Sequence, residues 1–431
     1  MTFYGDIILE KYRKNMAEDK KKIHVLVCPS DTYGVGLYRS KRPHEKLQEL
    51  YGDEFEVEIN MNPNWADFQS FEKYDIIHFH KGLFTDEGQK VFHNALRYFK
   101  EHNITTVMDI DDNWDVGQYH PLYLSNKAIK APEKITTNFT LVDYVTTTTE
   151  IFAKKIRKWN KNVLIFPNAI DPDEEQYQPI KYPSERIRFG FVMGSSHERD
   201  MEQIKGLAEK LYNAGLKDKI QLVLCGYDLR GTITMVDKDG KPTGQRPIEP
   251  KESVWYRYEQ NLTKDYTLIP PDYRDFLLQF IPNSQYPGVR DEFYRREWTK
   301  DVSNFATHYR NIDVLLAPLD TNSFNEVKSE LKFAEAGFTK TAVICSEYGP
   351  YTIGSKSIFK PGGEIDETGN CVLIDPTKAH KAWFKAIKKL AEQPELIKLL
   401  QNNMYEHVKD IYDINKVTER RAKWYKEIVK K

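Results

Sequence analysis

Residues 187–211 read IRFGFVMGSSHERDMEQIKGLAEKL, and this stretch decides the fold that we expect for the chain. A short apolar run, 187–193, leads into a loop at Gly194. Apolar residues then recur every three or four positions, from Met201 to Leu211, which is the spacing of one helical face. We expect Asp200 to cap this helix and Gly215 to end it. The order predicts a strand–loop–helix unit of a parallel α/β sheet.

The first half of the chain repeats this order. Residues 23–50 read IHVLVCPSDTYGVGLYRSKRPHEKLQEL, again an apolar run, a glycine loop and a helical pattern. Short continuous apolar runs separated by helical patterns indicate parallel strands that are buried on both faces. The chain therefore predicts an α/β protein with two doubly wound, Rossmann-like domains. The predicted strands are 23–28, 55–59, 75–80, 104–110, 143–148 and 162–167, then 187–193, 220–225, 312–317, 341–346 and 371–374.

Composition narrows the class of protein. The 431 residues include 63 basic and 64 acidic side chains, a net charge of −1 that argues against nucleic acid as a partner. No uncharged apolar run approaches the ~18 residues of a membrane span. The N-terminus lacks an apolar signal segment, so we expect a cytoplasmic protein. Four scattered cysteines predict buried free thiols rather than disulfides or a zinc site; they are Cys28, Cys225, Cys345 and Cys371.

Two segments interrupt the repeated pattern. Residues 171–186 are charged and rich in proline, which is typical of a linker, and we place the domains at 1–180 and 181–413. Residues 227–311 form an insertion in the second domain. It contains TITMVDKDGKPTGQ (232–245), which predicts a hairpin with Asp-Gly at the turn. Three interpretations are open for the aromatic-rich remainder: it packs on its own domain, it contacts another subunit, or it forms part of a site for an acceptor substrate.

Both glycine loops are candidate binding segments. Gly34 and Gly36 follow the first strand, where a backbone without side chains lets a ligand approach a helix N-terminus. A plain tight turn is the alternative, and the missing third glycine argues against a nicotinamide enzyme. The second loop offers Gly194, Ser195, His197 and Arg199 as a cradle for a diphosphate.

Residues 322–351 read NSFNEVKSELKFAEAGFTKTAVICSEYGPY and predict a short helix that begins near Ser329. Lys328 stands at its N-terminus, where a cation opposes the helix dipole unless an anion lies between them. Glu335 follows on the helix and suits two ribose hydroxyls. A cation for phosphate and a carboxylate for ribose fit one nucleotide, although a surface ion pair is the alternative. The predicted nucleotide-binding residues of this segment are Asn325, Lys328, Ser329 and Glu335.

Carboxylates and a histidine end two neighbouring strands of the first domain. The fourth strand ends in Asp109-Ile110-Asp111-Asp112, and the third ends in His80. Sites in such sheets lie outside the carboxyl ends of the strands. Three interpretations are open for Asp111 and Asp112: they face an acceptor, hold a metal or form a turn. For His80 the alternatives are a catalytic and a structural role. We predict a catalytic role for His80, Asp111 and Asp112, and no metal.

These landmarks together resemble one family, over about residues 22–427. They are Gly34–Gly36, DIIHFH (75–80), TTTTE (146–150), FPNAID (166–171), GSSH (194–197), KSELKFAEAG (328–337), TAVICS (341–346) and Gly369-Asn370. The chain resembles the retaining glycosyltransferases of GT-B architecture (glycosyl transferases group 1, family 4-like). Such enzymes often carry two glutamates on the donor-binding segment. Here Glu335 matches the second glutamate, and Lys328, followed by Ser329, stands in place of the first.

The resemblance implies a second domain that binds a nucleotide-diphosphate sugar as donor and needs no other cofactor. It implies a first domain that binds a glycan or lipid-linked acceptor across a cleft. The implied activity is a metal-independent, retaining hexosyl transfer in surface polysaccharide synthesis. A final helix, about 414–431, would cross back to the first domain, and its basic, aromatic sequence could instead touch the inner face of a membrane. The alternatives are a nucleotide-sugar epimerase of this fold and a catalytically silent sugar-nucleotide-binding scaffold.

Overall fold

The computed structural model describes residues 22–83, 85–118, 120, 122–237, 242–264 and 293–429. They form two α/β domains, each built on a six-stranded, all-parallel sheet. This confirms the predicted pair of Rossmann-like domains. The N-terminal sheet has the order β2-β1-β3-β4-β5-β6. Its strands are β1 (Ile23–Cys28), β2 (Phe55–Ile59), β3 (Ile76–His80), β4 (Thr105–Asp109), β5 (Tyr144–Thr147) and β6 (Val163–Ile165).

The C-terminal sheet repeats this plan with the order β11-β8-β7-β12-β13-β14. All eleven strands that the sequence predicts are present in the two sheets. The strand β11 is an addition that the sequence did not predict. The C-terminal strands are β7 (Ile187–Val192), β8 (Ile220–Tyr227), β11 (Tyr294–Trp298), β12 (Val314–Ala317), β13 (Ala342–Ser346) and β14 (Val372–Ile374).

Helices cover both faces of the sheets and bury their apolar residues there. The N-terminal helices are α1 (Arg42–Tyr51), α2 (Asp86–Glu101), α3 (Tyr123–Ala128), α4 (Ala131–Leu141) and α5 (Glu150–Ile156). The C-terminal half adds α6 (Glu198–Glu202), α7 (Leu207–Asn213), α8 (Val254–Thr263), α9 (Leu331–Phe338), α10 (Ala379–Glu392), α11 (Glu395–Val408) and α12 (Ile414–Ile428). The four cysteines are free and buried, as predicted. Among the residues described, no helix is long and apolar enough to cross a membrane.

The helical pattern after β7 forms two helices rather than the single one that we predicted. Gly206 separates α6 from α7 with φ +67°, a left-handed conformation that favours glycine. The Gly206 N–H donates to the carbonyl of Asn261 in α8, 2.7 Å away. The cap that we predicted is also wrong, because His197 holds the N-cap position and Asp200 lies inside α6.

The insertion is integrated into the C-terminal sheet. Its predicted hairpin is present as the antiparallel pair β9 (Thr232–Val236) and β10 (Pro242–Pro247), while the turn at 238–241 lies outside the described residues. The buried carboxylate of Glu259 in α8 accepts hydrogen bonds from Tyr227, Tyr294 and Arg296 at 2.6–3.0 Å. These bonds tie α8 to β8 and β11. Part of the insertion therefore packs on its own domain.

Two chain segments cross between the domains side by side. The Ile170 N–H donates to the carbonyl of Tyr412 at 2.8 Å, and the Ile414 N–H donates to the carbonyl of Ile170 at 2.9 Å. Beyond this crossing, α12 packs its apolar residues into the core of the N-terminal domain, against residues such as Leu47 and Phe55.

Candidate functional site

A cavity of about 770 Å³ lies between the two domains, at the carboxyl ends of both sheets. In each sheet the strand order reverses here, beside β1 in one and β7 in the other, and such reversal points are where α/β proteins bind ligands. The residues of this interdomain cleft that the sequence predicted are Gly34, Asp111, Asp112, Gly194, His197, Lys328, Ser329 and Glu335. The structure therefore brings eight of the predicted site residues together. The lining does not include Gly36, His80, Ser195, Arg199 or Asn325.

The N-terminal wall presents Asp111 and Asp112. His80 lies behind Asp111, with its Nε2 3.0 Å from the Asp111 Oδ1, and the Lys81 ammonium lies 3.4 Å from the same oxygen. Burial alone would raise the pKa of Asp111, but Lys81 and then His80 outweigh it and hold that pKa well below its usual range. Asp111 is thus an anion at the cleft, and His80 positions it.

Asp109, the first carboxylate of the Asp-x-Asp-Asp run, has a structural partner. It is fully buried and receives a bidentate pair of hydrogen bonds from Arg39, at 3.0 and 2.7 Å. The hydroxyl of Thr146 donates to it at 2.6 Å. Arg39 also donates to the carbonyl of Phe166 and the side chain of Asn168. The pair of Asp109 and Arg39 therefore holds the segment before α1 and the segment that leads to the domain crossing at the end of β4.

The two glycines of the first glycine loop have different surroundings. Asp31 accepts hydrogen bonds from the N–H groups of Tyr33 and Gly36 and shapes the turn. A Cβ on Gly36 would lie 1.8 Å from the carbonyl oxygen of Asp31, so this position has no room for a side chain. Gly34 has open space around it and lines the cleft. A π-helical stretch, Gly36–Lys41, then leads into α1.

The second glycine loop is held by the buried carboxylate of Asp200. That carboxylate contacts His197 Nδ1 at 2.5 Å and accepts from the Asp320 N–H at 2.6 Å and the Asn325 side chain at 2.8 Å. Asn325 is therefore a structural link between the loops after β7 and β12. Ser195 and Arg199 line a smaller cavity next to the cleft, of about 320 Å³, and Arg199 is paired with Asp320.

The segment before α9 supplies cations to the cleft. The helix begins at Leu331 rather than near Ser329, so Lys328 precedes it by three residues. The Lys328 ammonium lies 4.5 Å from the ring centre of Phe324, and no carboxylate among the described residues pairs with it. Ser329 accepts a hydrogen bond from Asn168 across the cleft at 3.0 Å. Lys328 is therefore a cation at the cleft that an anionic ligand could neutralise.

Glu335 lies at the back of the same wall and is almost fully buried. Its carboxylate accepts from the Tyr309 hydroxyl at 2.9 Å and from the Lys332 ammonium at 3.0 Å. Tyr38 of the N-terminal domain reaches the other oxygen at 3.4 Å and is hydrogen-bonded to Tyr177 of the linker. Glu335 thus joins both domains.

The interdomain cleft has four further cations that the sequence did not predict: Arg39, Arg230, Lys300 and Lys332. Lys332 stands three residues before Glu335 on the predicted helix, a spacing that places both on one face and could have identified it. Arg230 and Lys300 come from the insertion, and residues 299–303 form one side of the cleft. No motif marks these two, because the loops that carry them are placed by β8 and the unpredicted strand β11.

Two carboxylates at the end of β4 already have cationic partners. Arg39 engages both oxygens of Asp109, and Lys81 lies 3.4 Å from an Asp111 oxygen that also contacts His80. A metal bound by Asp109 and Asp111 would have to displace Arg39 and Lys81. Within the described part of the chain, one group of three side chains could hold a metal: Cys225, Glu297 and His308. These three are buried outside the cleft lining.

Comparison with known proteins identifies the fold to which the two-domain architecture belongs. The sequence matches no protein-family model, and no curated protein matches it either. Among solved structures, HepE of Anabaena in complex with UDP and glucose is similar, with 11% identity, 94% of this chain and 99% of that chain covered, and a TM-score of 0.56. A glycosyltransferase from Rickettsia africae is similar at 12% identity, with 95% and 99% covered and a TM-score of 0.55. The chain therefore has the GT-B fold of glycosyltransferases.

Proposed function

We propose that this protein is a glycosyltransferase that moves a sugar from a nucleotide-diphosphate sugar to an acceptor glycan or lipid-linked glycan in surface polysaccharide synthesis. The observation that carries the proposal is the interdomain cleft itself. Its C-terminal wall presents Lys328, Lys332 and Lys300, and its N-terminal wall presents the anions Asp111 and Asp112. Cations suit a diphosphate leaving group, and carboxylates suit acceptor hydroxyls.

A uridine diphosphate sugar is the donor class that we test first. HepE of Anabaena was crystallised with UDP-glucose, and its fold is similar to this chain at a TM-score of 0.55. In our proposal, Lys328 contacts the diphosphate, with Gly194, Ser195, His197 and Arg199 at or beside the phosphates. Glu335 binds the ribose after exchanging its contact with Tyr38 for ribose hydroxyls.

The reaction needs stabilisation of charge more than it needs a protein nucleophile. Glycosyl transfer passes through an oxocarbenium-like state while negative charge grows on the departing diphosphate. Fixed cations aimed at that charge lower the barrier without reorganising during the reaction. Asp112 orients the acceptor hydroxyl, and His80 keeps Asp111 in place. We propose that no divalent metal takes part, and that the anomeric configuration is retained, as the family resemblance implies.

The site of action in our proposal is the cytoplasm, at the inner face of the membrane where lipid-linked acceptors are found. For α12 we propose the crossover role rather than a membrane contact, because the apolar residues of this helix, including Trp424 and Tyr425, are buried in the N-terminal core.

The experiment is a transfer assay with purified protein and a panel of nucleotide sugars, with and without an oligosaccharide acceptor. We expect release of nucleoside diphosphate from one donor, and we expect it to persist in EDTA. Loss of activity in EDTA with recovery in Mn²⁺ would contradict metal independence. Isomerisation of the sugar without acceptor would identify an epimerase, and binding without turnover across the panel would identify a scaffold.

A further inference from the structure

A second cavity, of about 610 Å³, opens on the N-terminal domain beside the cleft. Its lining combines three aromatic side chains, Trp114, Tyr123 and Trp159, with polar and charged groups. The polar lining includes Asp115, Asn126, Glu133, Thr136 and Lys155. Neither the sequence motifs nor the proposed donor site includes residues of this aromatic cavity.

The aromatic wall is held rigidly by the domain core. Trp114 is 4% exposed, and its ring centre lies 5.4 Å from that of Trp159 in an edge-on arrangement. Phe139 and Phe152 pack behind Trp114 at 4.8 and 5.8 Å. Because the core places Trp114 and Trp159, a ligand that stacks on Trp159 does not have to order that ring.

The lining suits a sugar ring better than a lipid chain. Aromatic faces bind the C–H face of a pyranose, and the amide, hydroxyl and carboxylate groups around them can bond its hydroxyls. An acyl chain in the same place would remove water from Asp115, Glu133 and Lys155 without offering them a hydrogen bond, which is costly. Carbohydrate is therefore the ligand class that fits.

The aromatic cavity lies close to the interdomain cleft. Asp112 lines the cleft, and Trp114 is only two residues further, so their Cα atoms are within about 8 Å. Between them, Asn113 donates to the carbonyl of Ser323 in the C-terminal domain at 2.9 Å and accepts from Lys155 at the same distance. Asn113 thus joins a lining residue of the aromatic cavity, Lys155, to the opposite domain.

We propose that the aromatic cavity binds acceptor sugar units that lie beyond the unit receiving the new sugar. The inference rests on the proposed function and makes it narrower, because the acceptor becomes a glycan of several units rather than a single sugar. Tyr123 and Trp159 supply stacking surfaces, and Asn126 supplies a hydrogen-bonding amide.

The test is calorimetric binding of neutral gluco-, cello- and chito-oligosaccharides of one to five units. Wild type is compared with Tyr123→Ala, with Asn126→Ala as a second variant, and with the control Tyr182→Ala, an exposed tyrosine on the linker. We expect affinity in one series to rise with length in wild type. We expect it to fall roughly tenfold in Tyr123→Ala and to be unchanged in Tyr182→Ala.

Donor binding to the same variants separates this inference from the proposed function. UDP-glucose affinity should be unchanged in Tyr123→Ala. Failure of donor binding with retained oligosaccharide binding would contradict the transferase proposal and leave the aromatic cavity as a carbohydrate site that serves no transfer. Affinity independent of length, equal affinity in Tyr123→Ala and wild type, or no binding of any oligosaccharide would overturn the inference. So would association with anionic phospholipid vesicles that depends on the exposed Leu124 in place of sugar binding.

Discussion

At the scale of single residues, the buried pair of Arg39 and Asp109 holds the base of the N-terminal wall. Both side chains are almost completely buried, and the pair is bidentate. Arg39→Met would leave the Asp109 carboxylate buried without its cation, which typically costs about 3–5 kcal/mol of stability. Urea unfolding of the variant measures this loss.

The matched control for that prediction is Lys73→Met. Lys73 pairs with Glu58 at 2.9 Å on the exposed surface of the same domain. An exposed pair contributes little, so the free energy of unfolding should stay close to that of wild type. Equal stabilities for Arg39→Met and Lys73→Met would show that the buried pair is not a structural anchor.

Glu330 gives a pH-dependent prediction beside the cleft. It is buried at the start of α9, and burial raises its pKa from the usual 4.5 to about 7, in spite of a hydrogen bond with Tyr412. The folded protein therefore keeps a proton between these values that the unfolded chain loses. The resulting stability is complete below pH 4.5 and is lost as pH rises to about 7, at no more than about 1.4 kcal/mol per pH unit.

Thermal unfolding between pH 4 and 8 tests this assignment in Glu330→Gln. The variant cannot titrate at this position, so its stability should depend less steeply on pH than that of wild type. Glu326→Gln, an exposed neighbour, should keep the wild-type profile. Parallel profiles for Glu330→Gln and wild type would contradict a buried, neutral Glu330.

Lys328, Glu335 and Asp111 could be predicted as residues of the cleft because each stands at a fixed place in a strand–loop–helix unit. The sequence could not show that Asp109, unlike Asp111 and Asp112, is paired inside the domain, since its partner Arg39 is 70 residues away. It also could not assign Lys300, because that side chain reaches the cleft from an irregular insertion.

At the scale of elements, the turn after β1 depends on one glycine and not on the other. Gly36→Ala would bring a Cβ to 1.8 Å from a backbone oxygen of Asp31, so the turn would have to move. We expect a clear loss of stability in that variant. Gly34→Ala has open space around it and should fold normally. Thermal unfolding of the two variants checks this, and equal melting temperatures would contradict the assigned packing.

The regular elements of this fold were predictable, and its exceptions were not. Apolar runs identified the eleven predicted strands, and the charges in two of them have a structural explanation. β2 (FEVEI) is an edge strand, and Arg188 in β7 pairs with Asp313. Strand β11 reads YRREW, and its charges are tolerated because it is the edge of the sheet and Arg296 pairs with the buried Glu259. The break at Gly206 depends on a contact with α8, which local periodicity cannot reveal.

At the scale of the whole molecule, the domains meet through contacts that a ligand would change. Tyr38 reaches Glu335 from the N-terminal side and is hydrogen-bonded to Tyr177 of the linker, and Asn168 reaches Ser329. All of these groups except Tyr177 line the interdomain cleft. A bound donor would therefore compete with part of the interdomain contact, which links donor binding to the relative placement of the domains.

Calorimetric binding of uridine, UDP and UDP-glucose to wild type, Lys328→Met and the control Lys378→Met tests whether Lys328 binds the donor diphosphate. Lys378 is 77% exposed and lies outside the cleft lining. If the cleft binds a nucleotide diphosphate through Lys328, UDP affinity should fall roughly tenfold or more in Lys328→Met. Uridine affinity should not change, and Lys378→Met should bind like wild type. Equal UDP affinity in Lys328→Met and wild type would show that Lys328 does not bind the diphosphate.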